Sequence, residues 1–343
     1  MTWRTLTVMA LAAPLALCGY SCGSEDKGDA MIRESAERWV LAGHYVNPRE
    51  SGHPSENWVA ALQVPDGTMT RLVRIPMTTP DGKTELFPTV AYSEAGNLMI
   101  CSRRDFHGEN LCDDVWRYDL ATGQSRWIAK SRWNKTRGFA WCPDGSKVAF
   151  VASIRGSPVA FVMQYDVHAD KLDEVAGDAF GNLDDGQSGD SSVRPRRPAY
   201  SEDGNWLYYV SMDQRVMRVD LLTKQCERLP FTNAIAVLTV RGEHLVYAKE
   251  AGKGRDARFQ IVKVSLDAPD DSHSQQIYSL KGMLHRNFVS PSRRFILVEA
   301  RAGYAADRRV LDVDRGTTCG AGGLLVDGGF YPDSTVFVGF AGP

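Results

Sequence analysis

The 343-residue sequence lacks the short motifs that mark most common catalytic sites. It contains no G-x-S-x-G nucleophile elbow, no H-E-x-x-H metal motif and no phosphate-binding G-x-x-x-x-G-K-[ST]. Its histidines stand singly, and its cysteines form no C-x-x-C pair of the zinc-binding kind. These absences predict a protein that is not an enzyme and that uses no cofactor and no metal ion.

The sequence also lacks an excess of charge of either sign. It has 40 lysines and arginines against 42 acids, a net charge of -2. Nucleic-acid-binding proteins usually carry a large positive excess or a dense basic stretch, so no nucleic acid is expected as a partner. Beyond residue 22, no stretch approaches the ~18 apolar residues of a membrane-spanning helix.

Residues 1–22 have the pattern of an export signal. Arg4 precedes an apolar run from Leu6 to Cys18, which covers roughly 20 Å as a helix and is too short to cross the hydrocarbon core. We predict lipidation of Cys22, which follows the small Ser21, with Cys18 as the alternative. An ordinary signal peptide with incidental cysteines stays open. The predicted location is the bacterial periplasm or the outer membrane or cell surface, with a lipid anchor in the membrane.

Five further cysteines follow the signal, and an odd number cannot all pair within the chain. Cys101 and Cys112 end and begin neighbouring predicted strands. In an oxidising compartment these two residues are candidates for a disulfide that closes a hairpin loop.

One unit of sequence recurs along the chain: an apolar strand, a turn resembling S-P-D-G, and a second strand rich in β-forming residues. The turns begin at Ser93, Cys142, Ser201, Val240, Ser290 and Tyr331, with gaps between 39 and 59 residues. Blade-sized periods of about 40 to 50 residues are typical of β-propellers, whose four-stranded sheets stack side by side. Two stacked β-sandwiches, the alternative, do not explain a shared turn motif.

The ends of the repeat suggest a closed ring. Gly328 to Phe340 supplies two strands, and Asn57 to Ile75 reads as the missing half of the same blade. We therefore predict an all-β, six-bladed β-propeller in which N-terminal strands close the last blade and remove the exposed edges. The predicted division is a signal peptide at 1–22, a tether at 23–56 with a short helix near Ala30 to Ala42, and the propeller at 57–343.

The repeat resembles the TolB-type, WD40-like propeller unit of exported bacterial proteins. The most specific copies are FPTVAYSEAGNLMICS from Phe87, RGFAWCPDGSKVAFVAS from Arg137 and RPAYSEDGNWLYYVS from Arg197. TolB proper carries an additional α/β domain before its propeller, for which residues 23–56 leave no room. The resemblance therefore implies the propeller and not the role of TolB itself.

Arginines recur just before the repeated turns, at Arg137, Arg196, Arg197 and Arg286. Because the innermost strand of every propeller blade lines the central channel, equivalent positions converge on one channel mouth. Several guanidinium groups there would attract carboxylates or an acidic peptide; the alternative is that they are solvated loop charges.

The sequence favours a non-catalytic scaffold of the cell envelope that binds a protein or acidic peptide on a propeller end face. The alternative is an enzyme or sensor that acts on an anionic saccharide or another anionic ligand in the axial channel. Fold alone does not choose between them.

Overall fold

The computed structural model describes residues 37–45, 56–64, 69–75, 79–82, 89–93, 97–108, 110–154, 159–180, 197–252, 258–267, 274–290, 292–302 and 305–320. Every regular element within these ranges is a β-strand. No helix in this part of the chain is long and apolar enough to cross a membrane.

The strands form six antiparallel sheets that follow one another along the chain. The first sheet has three strands, β1 (Glu37–Tyr45), β2 (Glu56–Val64) and β3 (Met69–Ile75). The second sheet has β4 (Thr89–Ser93), β5 (Leu98–His107), β6 (Asn110–Asp119) and β7 (Ser125–Trp133). The third has β8 (Lys135–Trp141), β9 (Lys147–Ser153), β10 (Val159–Asp166) and β11 (Lys171–Phe180). The fourth has β12 (Ala199–Tyr200), β13 (Trp206–Val210), β14 (Val216–Asp220) and β15 (Cys226–Arg228). The fifth has β16 (Ala234–Arg241), β17 (His244–Ala251), β18 (Arg258–Ser265) and β19 (Gln275–Lys281). The sixth has β20 (Met283–Val289), β21 (Phe295–Ala302), β22 (Ala305–Asp312) and β23 (Thr317–Gly320).

The first strand of each sheet lies beside the first strand of the next. These contacts run from β1 to β4, β8, β12, β16 and β20 in chain order. The first strands therefore surround a common centre, and the later strands of each sheet lie progressively further out. This arrangement is a β-propeller, and it confirms the predicted all-β fold class.

Apolar side chains pack between successive sheets rather than inside any one of them. One cluster joins the second and third sheets, where the rings of Trp133 and Phe150 meet edge to face with centroids 5.4 Å apart. Another joins the fourth and fifth sheets, where Phe231 stacks on Tyr247 at 5.5 Å. A single sheet cannot cover both of its faces, so burial of these side chains holds neighbouring blades together.

Two kinds of turn repeat from sheet to sheet. The turn between the first and second strands is closed by backbone hydrogen bonds from Gly145 to Cys142, from Gly204 to Ser201 and from Arg293 to Ser290, at 2.8–3.1 Å. These are turn positions that the sequence repeat predicts. The donating residue has positive φ in each case, a conformation that glycine adopts without strain.

The turn between the third and fourth strands begins with an aspartate in four sheets, at Asp119, Asp166, Asp220 and Asp312. Its Oδ1 accepts the N–H groups of the residues two and three positions later, at 2.8–3.3 Å. Side chains of the preceding sheet reach over these turns, since Arg117 donates to the carbonyl of Val167 and Lys263 to that of Val313. The turns therefore order each hairpin and link it to its neighbour.

The N-terminal part of the chain differs from the prediction in one respect. The helix expected near Ala30 to Ala42 is wrong for residues 37–42, because β1 pairs with β2 along its whole length. Since Gly328 to Phe340 lies outside the described residues, the blade count, the closure of the ring and the division into 1–22, 23–56 and 57–343 stay predictions.

The predicted disulfide between Cys101 and Cys112 is not formed, because both residues are free thiols. In the pairing of β5 with β6, Cys101 stands opposite Trp116 and Cys112 opposite Asp105. An offset of four residues separates the two cysteines by about 13 Å along the strands, whereas a disulfide requires Cα atoms within about 7 Å.

Candidate functional site

Two of the four predicted arginines, Arg137 and Arg286, lie where the first strands depart from regular pairing. In β8 the pairing with β9 shifts between Arg137 and Ala140, and Gly138 has a positive φ of 68°. In β20 a shift falls between Leu284 and Arg286. Such bulges redirect side chains and are common beside functional sites. The side chain of Arg286 and the whole of Arg196 lie outside the described part of the structure, and Arg137 is half-buried.

Arg197 lies two residues before β12, the short first strand of the fourth sheet. Its guanidinium is surrounded by protein atoms, although the residue keeps part of its surface accessible to solvent. The charged end of the side chain is therefore enclosed, while another part of the residue reaches the surface. Burial, and secondarily the positive charge of Arg293, lowers the pKa of Arg197 to about 10. The group therefore stays charged at neutral pH but is poorly solvated.

Arg293 is the second guanidinium at the centre of the molecule. Its Nη1 donates to the backbone carbonyls of Tyr200, at 2.7 Å, and of Val240, at 3.2 Å. These carbonyls belong to β12 and β16, so the side chain bridges the first strands of two neighbouring sheets from the turn of a third. Burial lowers its pKa, and the negative charges of Glu202 and Asp203 oppose that shift.

No carboxylate of the described residues forms an ion pair with Arg197 or Arg293. Buried cations are usually paired, because an unpaired charge loses its hydration without compensation. Two poorly solvated guanidinium groups that repel each other would be stabilised by an anion placed between or beside them. The arrangement is suited to a carboxylate, which accepts paired N–H groups from a guanidinium.

Sequence reasoning identified Arg197 but missed Arg293. The signal was present in the repeat, because the turn that reads CPDG from Cys142 and SEDG from Ser201 reads SPSR from Ser290. Arg293 takes the position of Gly145 and Gly204 and adopts a φ of 61°. A residue with a side chain in this conformation costs about 1 to 2 kcal/mol, and such strain is often found at functional sites.

Neighbouring turns hold the surroundings of Arg293 in place. Arg241 donates through Nε and Nη2 to both oxygens of Asp314, at 2.7 and 2.9 Å, and through Nη1 to the carbonyl of Ser292. The hydrogen bond from Arg241 makes the largest contribution to lowering the pKa of Asp314. The turn that carries Arg293 is thus fixed by the fifth sheet as well as by its own.

Large aromatic residues of the first strands pack between the blades. Trp141 belongs to the cluster between the second and third sheets, and Tyr200 to the cluster between the third and fourth. The hydroxyl of Tyr200 accepts a hydrogen bond from Gln164 at 3.0 Å. Both side chains therefore contribute to the contacts between sheets.

A separate polar cluster lies on the β5–β6 hairpin. Asp105, His107 and Asp114 each bring one potential ligand atom within 4.8 Å of the others. Nε2 of His107 is 2.9 Å from Oδ1 of Asp114, and Arg103 contacts Asp105 through Nη2 at 3.0 Å. Sequence reasoning missed this group, although the alternation R-x-D-x-H from Arg103 to His107 places these residues on one face of a strand.

Comparisons with known proteins agree with the geometry. No protein-family model matches the sequence, and no curated protein matches it. Among solved structures, TolB from Acinetobacter baumannii superimposes with a TM-score of 0.52 at 14% identity, over 82% of this chain and 62% of that one. The shared feature is the fold.

Two further structures give similar agreement. The tricorn protease matches 76% of this chain and 28% of its own, with a TM-score of 0.51 and 10% identity. Puromycin hydrolase matches 82% of this chain and 45% of its own, with a TM-score of 0.51 and 13% identity. This chain spans less than two thirds of each of the three proteins, and similarity at these identities shows a propeller fold alone.

Proposed function

We propose that this protein is a non-catalytic binding protein of the bacterial cell envelope that holds an acidic segment of a partner protein at the propeller axis. The observation that carries the proposal is the pair of poorly solvated guanidinium groups at Arg197 and Arg293, which have no ion-pair partner among the described residues. The export pattern of residues 1–22 and the predicted lipidation of Cys22 are the basis for the proposed location.

An acidic segment suits this pair better than a neutral ligand does. A carboxylate bound to Arg197 would compensate for the hydration that burial has removed from the guanidinium. Charge-assisted hydrogen bonds are also stronger than neutral ones. Arg137, Arg196 and Arg286 would extend the positive potential along the first strands and steer an acidic chain towards the axis. The broad end face would supply the remaining contacts with the partner.

Fluorescence polarisation with a fluorescein-labelled deca-glutamate peptide tests the proposal. We expect binding that weakens with added salt, and we expect Arg197→Gln to reduce the affinity by at least about tenfold, since one charged hydrogen bond contributes about 1.5 to 3 kcal/mol. Arg126→Gln is the matched control, because Arg126 lies on the outer strand β7, is largely exposed and pairs with Asp170. A deca-glutamine peptide controls for the backbone.

Equal affinities of the Arg197→Gln and Arg126→Gln proteins would overturn the axial site. Arg293→Lys provides a second variant that keeps the charge but removes the planar guanidinium, which limits damage to the fold. The wider positive surface is tested by changing Arg137, Arg196 and Arg286 together to Glu. If this triple variant recovers partner proteins from envelope extracts as well as the unchanged protein does, those three arginines play no part.

The alternative is an enzyme or sensor for an anionic saccharide, and the burial of the Arg197 guanidinium favours it, because small-molecule sites bury most of their ligand's surface. Isothermal titration with tri-galacturonate separates the two proposals. Saccharide binding that depends on Arg197, without binding of deca-glutamate, would support the alternative and exclude the peptide site.

A further inference from the structure

The pairing of β5 with β6 gathers four ionisable side chains on one face of the hairpin. Arg103 stands opposite Asp114, and Asp105 and His107 follow Arg103 at intervals of two residues. Since side chains alternate along a strand, all four project to the same side. Asp113 lies on the opposite face of the hairpin, where its Oδ2 accepts the backbone N–H of Thr136 at 2.6 Å.

Asp114 is the most informative member of this group, because its side chain is completely buried. Its Oδ1 accepts the backbone N–H of Ser131 at 2.8 Å and lies 2.9 Å from Nε2 of His107. Its Oδ2 is buried and accepts no hydrogen bond from any described residue. Nη2 of Arg103 lies 3.7 Å from Oδ2, too far for a hydrogen bond.

This combination has the chemistry of a metal site. A buried carboxylate oxygen without a hydrogen bond is costly, because it has lost its hydration without a replacement. It points towards Nη2 of Arg103, which in turn contacts Oδ2 of Asp105. With His107 neutral, the two carboxylates and one guanidinium carry a net negative charge. A divalent cation would satisfy Oδ2 and balance that charge, while Ser131 already fixes Oδ1 of Asp114 from the backbone.

We propose that Asp105, His107 and Asp114 bind one divalent transition-metal ion of the zinc class. One imidazole nitrogen and two carboxylate oxygens form a ligand set that suits zinc, cobalt and nickel better than magnesium or calcium, which prefer oxygen alone. The ligand atoms are close enough for local side-chain movement to complete the site. The imidazole of His107 binds the ion through one ring nitrogen and keeps its proton on the other, so that it remains neutral.

Arg103 acts as the counter-charge of the metal-free form. Its Nη2 contacts Asp105 more closely than Asp114, at 3.0 against 3.7 Å. The ion would replace the longer of these two contacts, and Arg103 would hold Asp105 in orientation as an outer partner. This site is independent of the axial arginines, so either can fail without the other.

Cobalt titration of the full-length protein, after treatment with a chelator, tests the proposal. We expect visible d–d absorption that saturates at one Co²⁺ per chain and disappears on addition of Zn²⁺. His107→Gln and Asp105→Asn should each weaken Co²⁺ binding by at least about tenfold. Both residues are partly exposed, so these variants should fold, as circular dichroism would check.

His168→Gln is the matched control, because His168 lies between Asp166 and Asp170 in an exposed turn where the acids have other partners. It should bind Co²⁺ like the unchanged protein. Absence of stoichiometric Co²⁺ binding by the unchanged protein would overturn the proposal. Undiminished binding by His107→Gln would do so too, because the ion would then be held by other histidines or thiols.

Discussion

At the scale of single residues, the repeated turn shows what one substitution changes. Gly145 and Gly204 adopt positive φ without strain, whereas Arg293 adopts it at a cost of about 1 to 2 kcal/mol. Its two hydrogen bonds to backbone carbonyls offset that cost. The turn thus keeps its backbone shape in all three sheets, and in one of them it places the guanidinium of Arg293 near the axis.

The glycines of these turns differ in the space around them, which gives a prediction. A Cβ at Gly204 would lie 2.8 Å from Sγ of the buried Cys142, whereas a Cβ at Gly242 would meet no atom within 4 Å. Gly242→Ala should cost only the backbone strain, about 1 to 2 kcal/mol. Gly204→Ala should cost about 1 to 3 kcal/mol more, as overpacking of an interior does.

Urea denaturation measures both free energies of unfolding. A double-mutant cycle of Gly204→Ala with Cys142→Ala should recover most of the additional loss, because the contact with Sγ is then removed. Equal costs for Gly204→Ala and Gly242→Ala would show that the neighbouring blade moves aside.

At the scale of elements, the aspartate turns share one geometry but differ in burial. Asp119 accepts two backbone N–H groups near the surface. Asp312 also accepts two backbone N–H groups, but it is buried, and Arg294 donates to both of its carboxylate oxygens at 2.7–3.2 Å. Asp119→Ala should cost about 1 kcal/mol. Asp312→Ala should cost about 3 to 5 kcal/mol, since it removes the buried carboxylate to which Arg294 donates through Nε and Nη2.

Thermal or urea unfolding of the two variants checks this difference, and Asp119→Asn, which keeps an acceptor, should lose less than Asp119→Ala. Similar losses for Asp312→Ala and Asp119→Ala would mean that the hydrogen bonds between Arg294 and Asp312 add little to stability.

The elements also show what the sequence could and could not predict. The turns from Ser93 to Ser290 and the strands around them follow from local chemistry, because Asp and Gly favour tight turns and alternating apolar residues favour strands. Contacts between sheets are not local. The hydrogen bonds of Arg293 and the gathering of Asp105, His107 and Asp114 depend on the register and stacking of strands, which a turn motif does not encode.

At the scale of the whole molecule, hydrogen-bonded carboxylates predict loss of stability in acid. The pKa of Asp203 is lowered by the hydroxyl of Ser201, that of Asp213 by Ser211 and that of Asp314 by Arg241. Their folded pKa values lie below the unfolded value of about 3.9. The stabilisation is therefore complete above that pH and is lost as pH falls through the folded pKa values.

We expect the urea midpoint to be steady from pH 7 to about 5 and to decrease between about pH 4 and 2. A variant with Asn at positions 203, 213 and 314 should lose less over the same interval. A midpoint that is unchanged at pH 3 would contradict the assignment of these carboxylates.

The side chain of Arg293 has a consequence for how the propeller opens. Arg293 belongs to the sixth sheet, and its guanidinium donates hydrogen bonds to backbone carbonyls of the fourth and fifth. One side chain therefore connects three consecutive blades. None of these blades can swing outward alone without breaking a charged hydrogen bond at the centre. The smallest unit of local unfolding in this half of the molecule is therefore a group of blades rather than a single one. A ligand that competes for Arg293 would loosen that group, and its binding would affect the stability of all three blades.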